Sequence, residues 1–398
     1  MIRIVTCRLV IEKFDTHEKY HPKIISFNTQ ESYPLSNSPQ ASIKIISTTN
    51  AYTAETISNV EFDDIVRFQV SIQYSALEKY VWVDIFEGRV QNLSKNFSSS
   101  DEIELTCVGH IAEAYYTIFP SDATWTNTDA RTVLSTICTG RLSRVIYSSS
   151  YADTGLTLPD YNAEAQQYIS DVFEDMEKLS GYTRMINVRP IYLTNGNFDK
   201  AWLLWRLLPS QIATSYRIIE GTPRLLEASF DVIGDEVANY RYVYGATYQT
   251  TAGDPPVTTD HQYEGTSTDP SSISKFGNRY KTDTFNWVKS SSLCASIASG
   301  LVSDSKLPYV SGQVKLEGTP DAKVGDRVMV KIPSLEINNI MISGNYTVFR
   351  VTHDFSNQGY FTTLDLGRIK KNEYDYWQKN ITKEVKTCKK CVKKCKTR

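Results

Sequence analysis

With 398 residues, 41% of them hydrophobic and 22% charged, the chain has a globular composition and enough length for two or three cores. That excludes a disordered or fibrous protein. Its net charge of −2 is unevenly placed: residues 381–398 hold seven Lys and one Arg against one Glu, so this segment is +7 and the remainder is −9. A body of that sign argues against a nucleic-acid-binding domain, which would be expected to show a basic face. No apolar run approaches a membrane span, and Met1–Phe14 alternates like a strand rather than a signal peptide.

The first third of the chain reads as strands. Arg3–Ile11 alternates, Ile43, Ile45 and Ile46 mark Ala41–Ser47, and Asp64–Ile72 places Val66, Phe68 and Val70 on one face. Tyr80–Phe86 is β-branched and aromatic, Gly88 opens a further run with Val90 and Leu93, and Glu102–Val108 alternates again. Short strands separated by Ser, Asn and Gly predict an antiparallel barrel or sandwich. The period then changes. Ala130, Val133, Leu134, Ile137 and Cys138 form one helical face of Asp129–Thr139, with Gly140 as its stop. A longer helix is expected over Ala163–Ser180, with Asn162 as cap and Gly181 as stop. Strand-like runs at Tyr182–Leu193 and Ala201–Leu208 complete a small α/β block. Residues 246–275, rich in Thr, Ser, Pro and Gly, read as a long loop or linker. A helix at Ser290–Asp304 precedes strands at Gln313–Glu317, Asp326–Ile332, Tyr346–His353 and Tyr360–Leu366.

An internal repeat is visible. Gly88 opens a strand reaching Phe97-Ser98, then a polar turn, then a strand ending at Gly109. Gly344 opens a strand reaching Phe355-Ser356, then a turn, then a strand ending at Gly367. The Phe-to-Gly spacing is twelve in both. These are either equivalent parts of two similar β domains or two unrelated amphipathic hairpins.

Motifs for catalysis are weak. His17-Glu18-Lys19-Tyr20-His21 matches the zinc-hydrolase spacing, but Pro22 pushes His21 away from helical geometry and the segment has no apolar face. No Gly precedes a Lys, no two Gly are separated by one residue, and no G-x-S-x-G occurs, so phosphate loops, dinucleotide fingerprints and nucleophile elbows are excluded. Asp171, Glu174, Asp175 and Glu177 read as a solvated helix face, with a glycosidase carboxylate pair as the alternative. Cys7, Cys107, Cys138 and Cys294 sit singly in apolar patterns and read as buried thiols. Cys388, Cys391 and Cys395 have three readings: partial metal ligands, cross-links between chains, or incidental thiols of a disordered basic tail. No catalytic or cofactor-binding residue can be named, and no cofactor is expected.

Several segments, in order, resemble one family. They are Phe62-Asp63-Asp64-Ile65-Val66-Arg67-Phe68, Ile85-Phe86-Glu87-Gly88-Arg89-Val90 and Ile103–Gly109. The helix leading to Ser180-Gly181-Tyr182 follows, then Ser274–Tyr280, Val324-Gly325-Asp326-Arg327-Val328, Gly344–Val348, Val351–Ser356 and Thr362–Leu366. The set is similar to the hub proteins of phage tails and contractile injection machines, including the late-control protein D group and the N-terminal half of VgrG-type spikes. The resemblance implies an α+β, mainly β fold with two similar antiparallel barrel-like tube domains and an intervening small α/β domain. Expected boundaries are 1–118 for the first tube domain and 119–228 for the middle one. Residues 229–372, with the loop 246–275, make the second tube domain, and 373–398 the basic tail. It also implies a non-enzymatic virion protein, assembled in the host cytoplasm. Its homotrimer would form a pseudo-sixfold ring between the tail tube protein and the central spike protein, touching the tape-measure protein and passing DNA without specific binding or membrane insertion. A distal-tail or tail-tip adaptor of a non-contractile tail is the alternative within this class. A carbohydrate- or receptor-binding β module, suggested by the 25 Tyr and 6 Trp, is the alternative outside it.

Overall fold

A computed structural model describes residues 4–33, 38–46, 60–73, 81–96, 102–148, 156–179, 184–207, 216–222, 224–235, 237–252, 256–286, 288–306, 308–335 and 342–368. The chain divides into two units. The first comprises residues 1–208, 314–325 and 349–364, and the second the remainder.

The first unit opens with β1 (Ile4–Glu12), β2 (Lys19–Tyr20), β3 (Ile24–Ser32), β4 (Gln40–Ile46), β5 (Ile65–Gln73), β6 (Val83–Asn96) and β7 (Glu102–Gly109). They pair antiparallel in the order β3-β4-β7-β6-β5-β1-β2. Alternation buries Leu9, Ile11, Ile43, Ile45, Phe68 and Leu105 in one core. The ring of Phe27 on β3 stacks on Phe68 of β5, centroids 3.6 Å apart. Four strand spacings of ~4.8 Å would hold those rings about 19 Å apart on a flat sheet. The sheet therefore curls around its core as a barrel does. The two runs expected around Gly88 form the single strand β6. Gly88 is not a turn but a close crossing: a Cβ there would collide with the carbonyl of Val108.

A 3₁₀ turn at His110–Tyr115 leads into the α/β block: β8 (Ala123–Asp129), α1 (Ala130–Arg141), β9 (Val145–Tyr147), β10 (Thr157–Ala163), α2 (Ile169–Leu179), β11 (Arg184–Tyr192) and β12 (Phe198–Leu207). Asp129 caps α1 by accepting from the Arg131 amide at 2.8 Å. The five residues of its expected apolar face are all buried. Gly140 does not stop α1 but lies within it. α2 starts six residues later than its periodicity suggested. Residues 157–163 instead form β10, paired with β8, and Gln166 turns the chain at φ 69°. Asn162 is thus a strand residue accepting from Thr124 Oγ1 at 2.8 Å, not a cap. Leu158, Tyr161, Val172, Phe173 and Trp205 join the α1 face in a second core.

The second unit begins with β13 (Tyr216–Ile219), β14 (Leu225–Ile233), β15 (Tyr240–Ala252), β16 (Val257–Thr268), α3 (Pro270–Phe276), β17 (Tyr280–Thr284) and α4 (Ser291–Ser305). The boundary expected between 228 and 229 falls inside β14. The long loop expected over 246–275 is a correction. Residues 246–252 and 257–268 belong to the β15–β16 hairpin, and 270–276 are α3. Composition misled here because threonine, a polar residue of loops, is also β-branched and suits strands. The sheet β16-β15-β17 packs under α4 through Val243, Val288, Cys294 and Ala298. Gly265 and Gly245 permit this, since a Cβ on either would strike the backbone of Ala295 or Val288.

The chain ends its described part with β18 (Tyr309–Glu317), β19 (Arg327–Lys331), β20 (Gly344–Ser356) and β21 (Gly359–Arg368). Their strand order is β14-β18-β21-β20-β19-β13. This series matches β3-β4-β7-β6-β5-β1 place for place, and the two hairpins of the sequence repeat, β6–β7 and β20–β21, occupy the same positions. One strand differs: β1 runs antiparallel to β5, whereas β13 runs parallel to β19. The fold is α+β and mainly β, with the same six-strand order present twice.

Candidate interaction surfaces

The structure disperses the residues that chemistry had suggested. His17 is in the left-handed region, φ 58°, and its Nδ1 lies 2.9 Å from Glu12 Oε1. Glu18 accepts from the Tyr20 hydroxyl at 2.6 Å. The segment forms the turn into β2 rather than a helix, so the two His do not share a face. Among the described residues no group of His, Cys, Asp and Glu is arranged to hold a metal. Of the acidic helix face, Glu177 is fully buried and accepts from the Ile186 amide at 2.8 Å. Asp175 accepts from the Tyr161 hydroxyl. That face therefore ties α2 to β11 and β10, which corrects the solvated reading for these two. Cys107, Cys138 and Cys294 are buried free thiols and Cys7 is half-buried. Burial pushes the Cys7 thiol up to about 11 and Cys138 to about 12, so neither is a nucleophile at neutral pH. Cys388, Cys391 and Cys395 lie outside the described residues. An open groove of about 750 Å³ runs along α1 beside Thr132, Ser135, Thr136 and Tyr147, and its Asp129 and Arg131 are paired to each other at 2.7 Å.

A buried polar seam joins the curled sheet to the α/β block. Alternation sends Arg67, Glu87 and Arg89 to the face of β5 and β6 opposite the Phe68 core. Phe14, His110, Tyr192 and Phe198 close over them. The Arg67 guanidinium carbon lies 3.8 Å from the Tyr192 ring, that of Arg89 5.7 Å from Phe198, and His110 stacks on Phe198 at 4.7 Å. At the rim, Asp63 receives both terminal nitrogens of Arg144 at 2.8 and 3.2 Å, which holds its carboxyl below the usual range. Inside, burial pushes Glu87 up to about 8, although Arg67 Nε at 3.8 Å pulls the other way. Burial and the neighbouring Arg89 and Arg67 push His110 down to about 3. Among the described residues, both terminal nitrogens of Arg89, both ring nitrogens of His110 and Glu87 Oε1 have no hydrogen-bond partner. Asp63, Arg67, Glu87 and Arg89 of the seam lie in the segments 62–68 and 85–90, where they pack against the α/β block. His110 had no sequence signal beyond following Gly109.

The second surface is aromatic. On the β15–β17 face away from α4, Tyr240 lies 5.0 Å from Tyr242 and 4.9 Å from Tyr280, ring centre to ring centre. Tyr280 is 60% exposed. Beyond this face the β15–β16 hairpin continues as a two-stranded arm. Thr247–Ala252 and Thr258–Gln262 are exposed along its length.

The fold of this chain, whose six-strand order occurs twice with an α/β block between the copies in sequence, is similar to that of phage tail proteins and of a VgrG complex. Among solved structures, the tail protein from Neisseria meningitidis MC58 matches with TM-score 0.60 at 10% identity, covering 93% of this chain and 98% of that one. The 43 kDa tail protein of prophage MuSo2 from Shewanella oneidensis gives 0.59 at 13% identity, covering 91% and 98%. The half-lidded PdpA–VgrG complex of Francisella gives 0.52 at 8% identity, covering 92% of this chain and 58% of that one. No family model and no curated protein sequence matches the chain.

Proposed function

We propose that the chain is a structural hub of a phage-type tail and not an enzyme. Three copies form a ring that joins the tail tube to the central spike, touches the tape-measure protein and lets DNA pass at ejection. The virion is its final location and the host cytoplasm its place of assembly. The carrying observation is the doubled strand order, β3-β4-β7-β6-β5 and β14-β18-β21-β20-β19. A threefold spike must meet a sixfold tube, and a trimer of a duplicated chain presents six similar motifs. The body charge of −9 outside the basic tail suits a channel wall that does not hold phosphate. The first tube domain lies within 1–118 and the α/β domain follows from 119. The second tube domain ends by 372 and opens earlier than 229, with β13, and the basic tail takes 373–398. Light scattering on the purified protein tests the ring. A mass of three chains is expected, and cross-linking of the tail would appear as a trimer lost on reduction or in a Cys388/Cys391/Cys395→Ser variant. A monomer at high concentration, unchanged by added spike protein, would overturn the proposal.

The exposed tyrosine face supports a second reading, a saccharide-binding module. A glycan affinity abolished by Tyr280→Ala would favour it over the hub.

A further inference from the structure

We propose that the sheet β16-β15-β17 is a joint between copies of this chain: the outer edge of β16 in one copy pairs antiparallel with β17 of a second. This rests on the ring reading and names the contact that would build it.

Among the described residues both edges are open: β16 pairs only with β15, and β17 only with β15, from Tyr240–Tyr280 to Tyr244–Thr284. An open edge presents unpaired N–H and C=O groups, and natural edges are guarded by lysine, proline or a short length. β16 has twelve residues, with no Lys, Arg or Pro. The register shift in the hairpin lies midway, between Tyr244 and Thr247, and the pairs from Thr247–Gln262 to Ala252–Val257 are regular. The distal arm also lacks a core. Its side chains meet through Thr250 Oγ1 to His261 Nε2 at 2.8 Å, Thr251 to Thr258 at 3.2 Å, and Tyr248 stacked on His261 and Tyr263. Such pairs contribute tenths of a kcal/mol, and a lone two-stranded ribbon is marginal in water. A long, open and weakly supported edge calls for another strand.

Direction and charge select a second copy as that strand's source. β15 is antiparallel to β16 and parallel to β17. The two outer strands of the sheet therefore run oppositely, and a copy placed head to tail brings β17 against β16 antiparallel. The contact is heterologous, which is the type that closes rings. The edges are also opposite in charge. β16 carries Asp260 and Glu264 with no basic residue besides His261. At β17 stand Arg279 and Lys281, both exposed. The acid there, Asp283, is already held by Arg241 at 2.7 Å.

A charge-swap series tests the joint by sedimentation and hydrogen exchange on the full chain. D260K/E264K should raise the concentration of half-dissociation at least tenfold, with the monomer's melting temperature unchanged. Adding R279E/K281E should restore assembly to within about threefold of wild type, and in the assembled form alternate amides of β16 should exchange more slowly than on dilution. A second variant, with Thr247–Gln262 replaced by Asn-Gly, should also weaken assembly. An oligomer indifferent to all three changes, with exchange in β16 independent of concentration, overturns the joint and leaves the ring reading standing. A wild-type chain monomeric at every concentration, with or without spike protein, overturns both.

Discussion

The curled sheet of β1–β7 and the small β16-β15-β17 layer are both antiparallel-rich, yet they hold together differently. The first supplies fourteen of the sixteen buried residues in the core around the Phe27–Phe68 stack, among those described. The second has four, Val243, Val288, Cys294 and Ala298, under one helix. A sheet that curls on itself buries one face of every strand. A three-stranded sheet under one helix leaves an aromatic face and two edges in water. The same alternating pattern thus yields a large enclosed core in one place and an exposed face in the other.

Changes in the large core should break this contrast most severely. Phe68→Ala removes the stacked partner of Phe27 at a fully buried site and is expected to cost about 3–5 kcal/mol in denaturant unfolding. The seam above that core should make stability depend on pH. Folded Glu87 keeps its proton up to about 8 while the unfolded chain releases it near 4.5, so the folded form binds more protons between those values. Stability is then lost as pH rises through that window, by up to about 1.4 kcal/mol per unit, and Glu87→Gln should flatten the slope. His110 acts oppositely. Its folded value near 3 lies below the ordinary 6.5, so stability is lost as pH falls from 6.5 towards 3.

In the small layer the expected effects are smaller and local. Gly265→Val forces a side chain into the α4 backbone and should cost about 1–3 kcal/mol. Hydrogen exchange should rise in β15–β17 and α4 while β1–β7 stay protected. Val243→Ala removes two methyl groups from the four-residue core, about 1.5 kcal/mol by burial. Tyr280→Ala, on the exposed face, should change stability by less than about 0.5 kcal/mol. A loss as large as that of Phe68→Ala would mean that this face is core, and the contrast would fail.

Much of the first core is legible in the chain. Val66, Phe68, Ile103 and Leu105 alternate along their strands, and the helical period of residues 130–138 alone marks the whole buried face of α1. The repeat is visible in its two glycine-flanked hairpins, though only the matched strand order separates a duplication from coincidence. The β15–β16 arm is hidden because Thr and Ser signal loop by polarity and strand by shape. The onset of α2 is misplaced because Leu158, Tyr161 and Ala163 satisfy a sheet partner, β8, that periodicity cannot see. Arg67, Glu87, Arg89 and His110 sit at alternating or solitary polar positions that look solvated. Only the cover of Phe14, Tyr192 and Phe198 makes them a seam.

By itself the sequence determined where strands and helices could form, the buried faces of most of them, the absence of phosphate loops and nucleophile elbows, and the charge division between body and tail. These follow from local periodicity and composition, which need no partner. Tertiary structure alone decided that the first sheet curls, that its motif recurs in the same order, and which edges stay open. Each of those depends on pairings between residues far apart in the chain, and alternation states which face is apolar without naming the strand beside it.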